Sequence, residues 1–176
     1  MAEFKDKKCL IAYYSRAGDN YVNGSVVNLP SGNTETVAKM IQGVTGGDFF
    51  RIDTVNTYPA DYTQTTEVAQ KEMRNNARPE LTGQVKDMET YEVVFLGYPN
   101  WWGTMPMAVF TFLEAYNFAG KTIVLFCTHE GSGLGHSESD IAKLCPQSTI
   151  GKGLAIKGSQ VSAAEKEITA WLNTVG

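Results

Sequence analysis

The strongest evidence for the fold is the segment that reads Val93-Val94-Phe95-Leu96-Gly97-Tyr98-Pro99-Asn100-Trp101-Trp102-Gly103-Thr104-Met105-Pro106. Its apolar first half predicts a strand that is buried on both faces, as in a parallel sheet covered by helices. Its second half places two adjacent tryptophans on the loop that follows. Large indoles are costly to expose, so they either pack within the loop or hold a flat aromatic ligand by stacking.

Apolar runs alternate with amphipathic stretches along the rest of the chain, which is the pattern of βα units on a parallel sheet. With 176 residues, the chain is long enough to form one domain, residues 1–176, with a sheet covered on both faces. Strands are predicted at residues 9–14, 49–52, 93–97, 122–127 and 153–156. Helices are predicted from Thr34 to Gly46, within residues 61–76, from Pro106 onward, between Ser137 and Cys145, and after a capping box of Ser162 and Glu165.

The connection between the first strand and the first helix is unusually long. Residues 17–31 fill this connection, although two to six residues usually suffice. The segment contains Asn23-Gly24 between apolar flanks, which is the strongest short signal for a β-hairpin. Long ordered loops often carry function, but a neutral insertion agrees equally well with the length.

Three loops are expected to meet at the carboxyl edge of the sheet, where open α/β folds bind ligands. The first carries Ser15 and resumes with hydroxyl groups at the start of the first helix. These groups either bind a phosphate, which a helix N-terminus favours, or cap the helix. The second is the tryptophan loop, and the third, residues 128–136, is rich in glycine and can approach a ligand edge closely. In this third loop, His129 and Glu130 are either acid–base groups or exposed polar groups.

Composition and missing motifs exclude several other functions. The net charge of −4 and the scattered Lys and Arg residues argue against a nucleic-acid surface. No apolar run is long enough for a signal segment or a membrane span, so the chain is expected to be soluble and cytoplasmic. The three cysteines lack Cys-x-x-Cys spacing and are interpreted as reduced thiols, and two histidines offer little to a metal. Neither a Gly-x-Gly-x-x-Gly fingerprint nor a P-loop occurs.

Taken together, the three loops resemble those of the flavodoxin family, and the resemblance covers nearly the whole chain. The matching elements are Tyr13-Tyr14-Ser15 with its hydroxyl-rich loop, residues 97–103 and residues 128–133. The resemblance implies an α/β fold, a three-layer doubly wound sandwich around a five-stranded parallel sheet of order 2-1-3-4-5. Flavodoxin itself is the reference example of this order, with FMN between strands one and three.

By this resemblance, the cofactor-binding residues form three groups, and neither a catalytic nor a metal-ligating residue is expected. They are Ser15, Arg16, Ala17, Asn33, Thr34 and Thr36 near the phosphate; Pro99, Asn100, Trp101, Trp102, Gly103 and Thr104 beside the flavin ring; and Thr128, Glu130, Gly131 and Gly133 along another edge. The insertion leaves open whether Arg16 and Ala17 lie in the phosphate site or are pulled away from it. Because neighbouring side chains point in different directions, only one of the two indoles is expected to lie flat against the ring.

The resemblance implies an FMN-binding electron-transfer protein that cycles through one-electron states of the flavin and docks transiently with redox partner proteins. The alternative is an FMN-dependent NAD(P)H quinone or nitro reductase, which needs an open pocket over the ring. Gly103 is expected to let the adjoining backbone reorient toward the reduced flavin. An acidic surface and a stacked ring predict a low-potential donor. A signalling receiver on the same fold is excluded, since strand three ends in Gly97-Tyr98 and lacks a phospho-acceptor Asp.

Overall fold

The computed structural model describes Phe4 and residues 6–175. The strands are β1 (Cys9–Tyr13), β2 (Gly18–Val22), β3 (Ser25–Leu29), β4 (Asp48–Arg51), β5 (Val93–Pro99), β6 (Thr122–His129), β7 (Thr149–Ile150) and β8 (Leu154–Lys157). The helices are α1 (Asn33–Thr45), α2 (Tyr62–Arg74), α3 (Met107–Ala115), α4 (Ser137–Leu144) and α5 (Glu165–Val175). Two 3-10 helices cover Met88–Thr90 and Gly158–Ala163.

The central sheet is parallel and has the predicted order. Its strands run β4-β1-β5-β6, and both β7 and β8 pair with β6 at the outer position. The order 2-1-3-4-5 is therefore confirmed, with two short strands sharing the fifth place. Tyr13 pairs with Gly97 and Pro99 pairs with Thr128, so the carboxyl ends of β1, β5 and β6 lie side by side.

Each face of the sheet packs against helices, because alternate residues of the buried strands point to opposite sides. Val94, Leu96 and Tyr98 of β5 contribute to a core with α3 and α4. Val93 and Phe95 contribute to a second core with α1 and α5. The three-layer α/β sandwich expected from the apolar runs is confirmed.

The helix ends differ from prediction at two places. Pro106 lies at the N-cap position of α3 and so falls one residue before the helix. Ser162 lies inside a 3-10 helix and α5 begins at Glu165, so the predicted capping box was wrong. The end of α1 agrees with prediction, since Gly46 follows it with a φ of 69°. Among the described residues, no helix is long and apolar enough to cross a lipid bilayer.

The long first connection forms the predicted hairpin. Strands β2 and β3 pair in antiparallel fashion and form a two-stranded sheet of their own. Asn23 and Gly24 connect them with φ values of 51° and 87°, as a type I′ turn requires at both central positions. Most side chains of β3 are exposed, so the hairpin adds little to either core.

Candidate functional site

The first loop meets the start of α1 at Ser15. The buried Ser15 hydroxyl accepts a hydrogen bond of 3.0 Å from the backbone N–H of Glu35. No side chain caps α1 at Gly32, where an added Cβ would lie 2.1 Å from Ser15 Oγ. The contact requires a glycine here, and it leaves the helix start open to an anion.

The guanidinium of Arg16 is drawn toward the hairpin and the segment before α2. It donates hydrogen bonds to the backbone oxygens of Asp19, Pro59 (2.9 Å) and Ala60 (2.8 Å). The adjoining Ala17 is exposed. The insertion thus holds Arg16 from two sides.

The tryptophan loop closes in a tight turn. Trp101 N donates to Thr104 O at 2.8 Å, and Thr104 N donates back to Trp101 O at 3.3 Å. Between them, Trp102 and Gly103 have φ values of 56° and 85°. A bulky residue with positive φ is unusual, and such backbone is held only where its surroundings fix it. Here Trp102 Nε1 donates to Thr66 O at 3.0 Å.

The two indoles have different surroundings. Trp101 packs edge-on against Tyr14 and Tyr58, with ring centroids 5.2 Å away in both cases. Trp102 is 47% exposed. The backbone turn therefore separates one fixed indole from one that faces solvent.

Asn100 joins the second loop to the third. Its backbone N–H donates to Thr128 O at 2.8 Å, and its Nδ2 donates to Gly133 O at 2.8 Å. Its Oδ1 accepts a bond of 3.0 Å from Gly103 N. One amide side chain thus holds both loops in register.

A second set of contacts fixes the same loops from the side of α4. His136 N donates to Gly103 O at 2.8 Å, and Thr104 Oγ1 donates to Asp140 Oδ2 at 2.5 Å. Gly135 has a φ of 54°, and a Cβ there would lie 2.1 Å from Gly103 O. Because both the N–H and the carbonyl of Gly103 are bonded, the expected backbone reorientation there would have to break at least one of these bonds.

The third loop carries the buried carboxyl group of Glu130. Its Oε2 accepts a hydrogen bond of 3.0 Å from Asn23 N in the hairpin turn. Its Oε1 is buried without a hydrogen-bond partner among the described residues. Nearby, Thr34 Oγ1 and Thr128 Oγ1 lie 2.8 Å apart and join α1 to β6. A buried acceptor of this kind suits a ligand hydroxyl, because it otherwise loses its hydration without replacement.

His129, next to Glu130, is held as a neutral acceptor. Burial lowers the pKa of His129 below its ordinary value, and the nearby charge of Lys157 lowers it further against the opposing effect of Glu130. Gly131 N donates to His129 Nδ1 at 2.9 Å, which requires that this nitrogen carry no proton.

Two adjoining cavities collect these groups. The first, here called the central cavity, has a volume of about 250 Å³. It is lined by Ser15, Arg16, Asn20, Tyr21, Asn33, Thr34, Tyr62, Pro99, Asn100, Trp101, Thr128, His129, Glu130 and Ser132. The second, here called the tryptophan cavity, has a volume of about 410 Å³. It is lined by Arg16, Asn20, Tyr62, Thr65, Thr66, Ala69, Asn100, Trp101 and Trp102.

A larger cavity of about 600 Å³ lies on the other side of the Ser15–Arg16 segment. Ala17, Asp19 and Arg51 line it, but no residue of the second or third loop does. Size therefore does not identify the site. The two smaller cavities do, because they hold residues of all three loops.

The cavities contain part of the set of residues expected from the sequence. Those that line them are Ser15, Arg16, Asn33, Thr34, Pro99, Asn100, Trp101, Trp102, Thr128 and Glu130. Those that do not are Ala17, Thr36, Gly103, Thr104, Gly131 and Gly133. Several of the latter fix the loops: Gly103 and Gly133 bond Asn100, and Thr104 bonds Asp140.

Sequence reasoning missed the residues that cover the site. Tyr21 of the hairpin stacks on Tyr62 of α2, with ring centroids 5.9 Å apart, and both line the central cavity. The hairpin pattern gave no indication of where the hairpin packs. The start of α2 had a usable signal in Asp61, whose side chain accepts from Gln64 N at 2.8 Å.

Comparison with known proteins gives two kinds of match. A family model described as Flavodoxin matches residues 24–175. A solved structure from Bacteroides eggerthii, of a protein described as a flavoprotein, is 29% identical with a TM-score of 0.78 and covers 97% of this chain and 98% of its own. A second, from Bacteroides uniformis, is 26% identical with a TM-score of 0.72, covering 93% and 98%.

A flavoprotein from Lactobacillus acidophilus, solved in complex with FMN, shares the fold at 20% identity and a TM-score of 0.67, covering 94% of this chain and 99% of its own. No protein in the curated set matches the sequence.

Proposed function

Because this chain belongs to the flavodoxin family, we propose that it binds FMN in the central and tryptophan cavities and carries electrons one at a time between other redox proteins. The observation that carries this proposal is the position of the uncapped start of α1 beside the tryptophan loop, with Ser15, Asn100 and Trp101 lining the shared space. When bound, FMN supplies the redox chemistry.

The phosphate end of the ligand belongs at the start of α1. Helix amides and the macrodipole favour negative charge there, and hydroxyl groups surround the position. Ser15 and Thr34 are buried, and Asn33 lines the same cavity. The unpartnered Oε1 of Glu130 suits a hydroxyl of the sugar-alcohol chain, because a carboxylate oxygen accepts from such a donor but repels a phosphate.

The ring end belongs against the tryptophan loop. Trp101 lines both cavities and is fixed by Tyr14 and Tyr58, so it offers a surface that needs no rearrangement on binding. Asn100 and Gly103 keep this loop attached to the glycine-rich one. These residues bind and orient the ring and exclude water from it.

An electron carrier is supported by the cover over the site. The hairpin reaches from Tyr62, through the Tyr21 stack, to Glu130, through the Asn23 hydrogen bond. A roof of this kind leaves little access for a stacked substrate, while electron transfer needs only an edge near the surface. The exposed Trp102 marks such an edge.

The alternative, an FMN-dependent NAD(P)H quinone or nitro reductase, is supported by one observation. The tryptophan cavity, at about 410 Å³, lies within the size range of small-molecule sites and adjoins the central cavity. This volume is a place where a second planar molecule could stack if FMN occupies mainly the central cavity.

The partners of the carrier are redox proteins that dock transiently. A net charge of −4 favours partners with a basic docking surface, since opposite charges speed the encounter without requiring tight binding. A cytoplasmic location agrees with the three cysteines, which are free and buried.

The decisive experiment is an absorption spectrum of the purified protein, with and without added FMN, during stepwise reduction by dithionite. A carrier shows bound flavin and separate one-electron steps. A colourless protein that takes up no FMN would overturn the proposal. Stopped-flow mixing with NADPH or NADH tests the alternative, because reduction of bound flavin at catalytic rates by either one would favour the reductase.

A further inference from the structure

We propose that Arg16 is the counter-charge for the reduced flavin, and that it raises the reduction potential above that of a site with no cation. This inference rests on the proposed binding of FMN and deepens it. It also reverses one expectation from the sequence, in which the acidic composition alone predicted a low-potential donor.

The first observation is how Arg16 is held. Its guanidinium is bonded by the backbone oxygens of Asp19, Pro59 and Ala60, which belong to two separate segments. The planar guanidinium loses little freedom per bond when several acceptors fix it. Arg16 is therefore a cation in a fixed position, held by the inserted hairpin on one side and the segment before α2 on the other.

The second observation is that the charge is not neutralised. Among the described residues, Arg16 forms no ion pair with a carboxylate, and its contact with Asp19 is to the main chain. Carbonyl dipoles stabilise a guanidinium but leave its net charge in place. A half-buried charge without a counter-ion is costly in a fold, which is a reason to look for an anionic ligand.

The third observation is the position of this charge relative to the cavities. Arg16 is the one charged residue that lines the tryptophan cavity, where it shares the wall with Trp101 and Trp102. In the central cavity the carboxyl group of Glu130 faces it across the site. The cation is thus on the side of the ring, and the carboxylate is on the side of the sugar-alcohol chain.

The redox step gives this position its effect. Two electrons from dithionite or from a partner protein, with one proton from solvent, convert the neutral oxidised ring into a reduced ring with one negative charge. Arg16 keeps its own proton throughout, because arginine stays charged at every pH where proteins fold. A nearby cation binds the anionic ring more strongly than the neutral one, and that difference raises the potential.

The test uses the full chain loaded with FMN and three variants. Arg16→Gln removes the charge and keeps a polar side chain, and Arg16→Lys keeps the charge but loses the planar set of hydrogen bonds. Arg74→Gln is the matched control, because Arg74 is exposed and lines none of the three cavities. Midpoint potentials are measured by dithionite titration with a reference dye, and affinities for FMN and riboflavin by flavin fluorescence.

Arg16→Gln should weaken binding of the reduced relative to the oxidised flavin by tenfold or more. A tenfold change corresponds to a fall of about 30 mV in a two-electron potential. Arg16→Lys should shift the potential less, and Arg74→Gln should not shift it. If Arg16→Gln fails to fold, a potential in Arg16→Lys equal to that of the wild type still agrees with a charge effect, and a shift of the same tenfold size contradicts it.

Two results would overturn the inference while leaving the proposed function intact. One is an Arg16→Gln protein that binds FMN with an unchanged potential. The other is a loss of affinity for FMN with none for riboflavin and no change in potential, which would assign Arg16 to the phosphate. Failure of the wild-type protein to bind FMN is a different outcome, which overturns the proposed function itself.

Discussion

The backbone N–H of Asn23 donates a hydrogen bond of 3.0 Å to Oε2 of Glu130, a residue 107 positions later in the chain. This contact fastens the hairpin turn to the third loop. A two-stranded ribbon is at best marginally stable alone, and most of β3 is exposed. The hairpin therefore depends on the Asn23 bond, the Tyr21 stack and Arg16 to stay over the cavities.

Glu130→Ala should release the hairpin turn and speed the loss of FMN about tenfold. The change removes the acceptor for Asn23 N and the buried oxygen proposed to bind a ligand hydroxyl, each of which contributes about 1 kcal/mol. Dissociation is followed by flavin fluorescence after dilution. Glu67→Ala, at an exposed position on α2, is the control. Equal dissociation rates in the two variants would contradict the role of the hairpin.

Gly135→Ala should destabilise the protein more than Gly133→Ala. Both glycines have positive φ, 54° and 61°, so both substitutions carry backbone strain of roughly 1–2 kcal/mol. At Gly135 the new Cβ would also lie 2.1 Å from Gly103 O, whereas at Gly133 nothing lies within 4 Å.

The extra steric cost of Gly135→Ala is about 1–3 kcal/mol, which is the usual range for overpacking. Urea unfolding of the protein without flavin measures the difference. If the two variants lose the same free energy of unfolding, the tryptophan loop is not held against Gly135 as described.

Ser15→Ala should separate the phosphate from the ring. The variant loses the acceptor for Glu35 N and about 1 kcal/mol of stability, as is usual for a lost helix cap. Its affinity for FMN should fall about tenfold while its affinity for riboflavin stays the same, since one charge-assisted hydrogen bond contributes roughly 1.5–3 kcal/mol. Isothermal titration with both ligands provides the measurement.

Thr36→Ala is the matched control on the same helix. The Thr36 hydroxyl donates to Gly32 O at 3.3 Å, and its side chain does not line the central cavity. Its loss should leave FMN affinity within about twofold of the wild type. A larger loss in Thr36→Ala than in Ser15→Ala would move the phosphate away from Ser15.

The stability of the flavin-free protein should fall as the pH is lowered below about 6.5. Burial lowers the pKa of His129 in the folded state, so the unfolded chain binds the proton more readily. The stabilisation is complete above the ordinary value of 6.5 and is lost as the pH falls through the lowered pKa. Protonation would also leave Gly131 N without its acceptor.

His129→Asn tests the pH dependence directly, because the amide oxygen still accepts a hydrogen bond but does not titrate. Urea unfolding at a series of pH values between 5 and 8 should give a flatter profile for the variant than for the wild type. Parallel profiles would show that His129 is not the group responsible.

The sequence was sufficient for the features that depend on local pattern. Apolar runs located the parallel strands, and Asn23-Gly24 located the hairpin turn, because buried strands and type I′ turns restrict residue choice strongly. Contacts between distant segments were not predictable in this way. The bonds from Arg16 to Pro59 and Ala60 use main-chain oxygens, which every residue has, so they leave no trace in composition.

The same reasoning explains which site residues were misplaced. Gly103 and Gly133 follow the right strands, and glycine does mark close backbone approach, but here the approach is between loops. Tyr21 and Tyr62 lie 41 positions apart, and neither belongs to a motif, so their stack became visible only in three dimensions.

Trp101, and not Trp102, should be the indole that quenches the flavin. Trp101 lines both cavities and is held by edge contacts with Tyr14 and Tyr58, whereas Trp102 lines only one and is 47% exposed. In Trp101→Phe the fluorescence of bound flavin should rise severalfold, because the indole within stacking distance is removed, and each lost edge contact should cost about 0.5–1.5 kcal/mol. In Trp102→Phe the backbone keeps its turn and only the bond to Thr66 O is lost, so the fluorescence of bound flavin should change little. The reverse ranking of the two variants would place the ring on the exposed side of the loop, where a substrate or partner protein could reach its face.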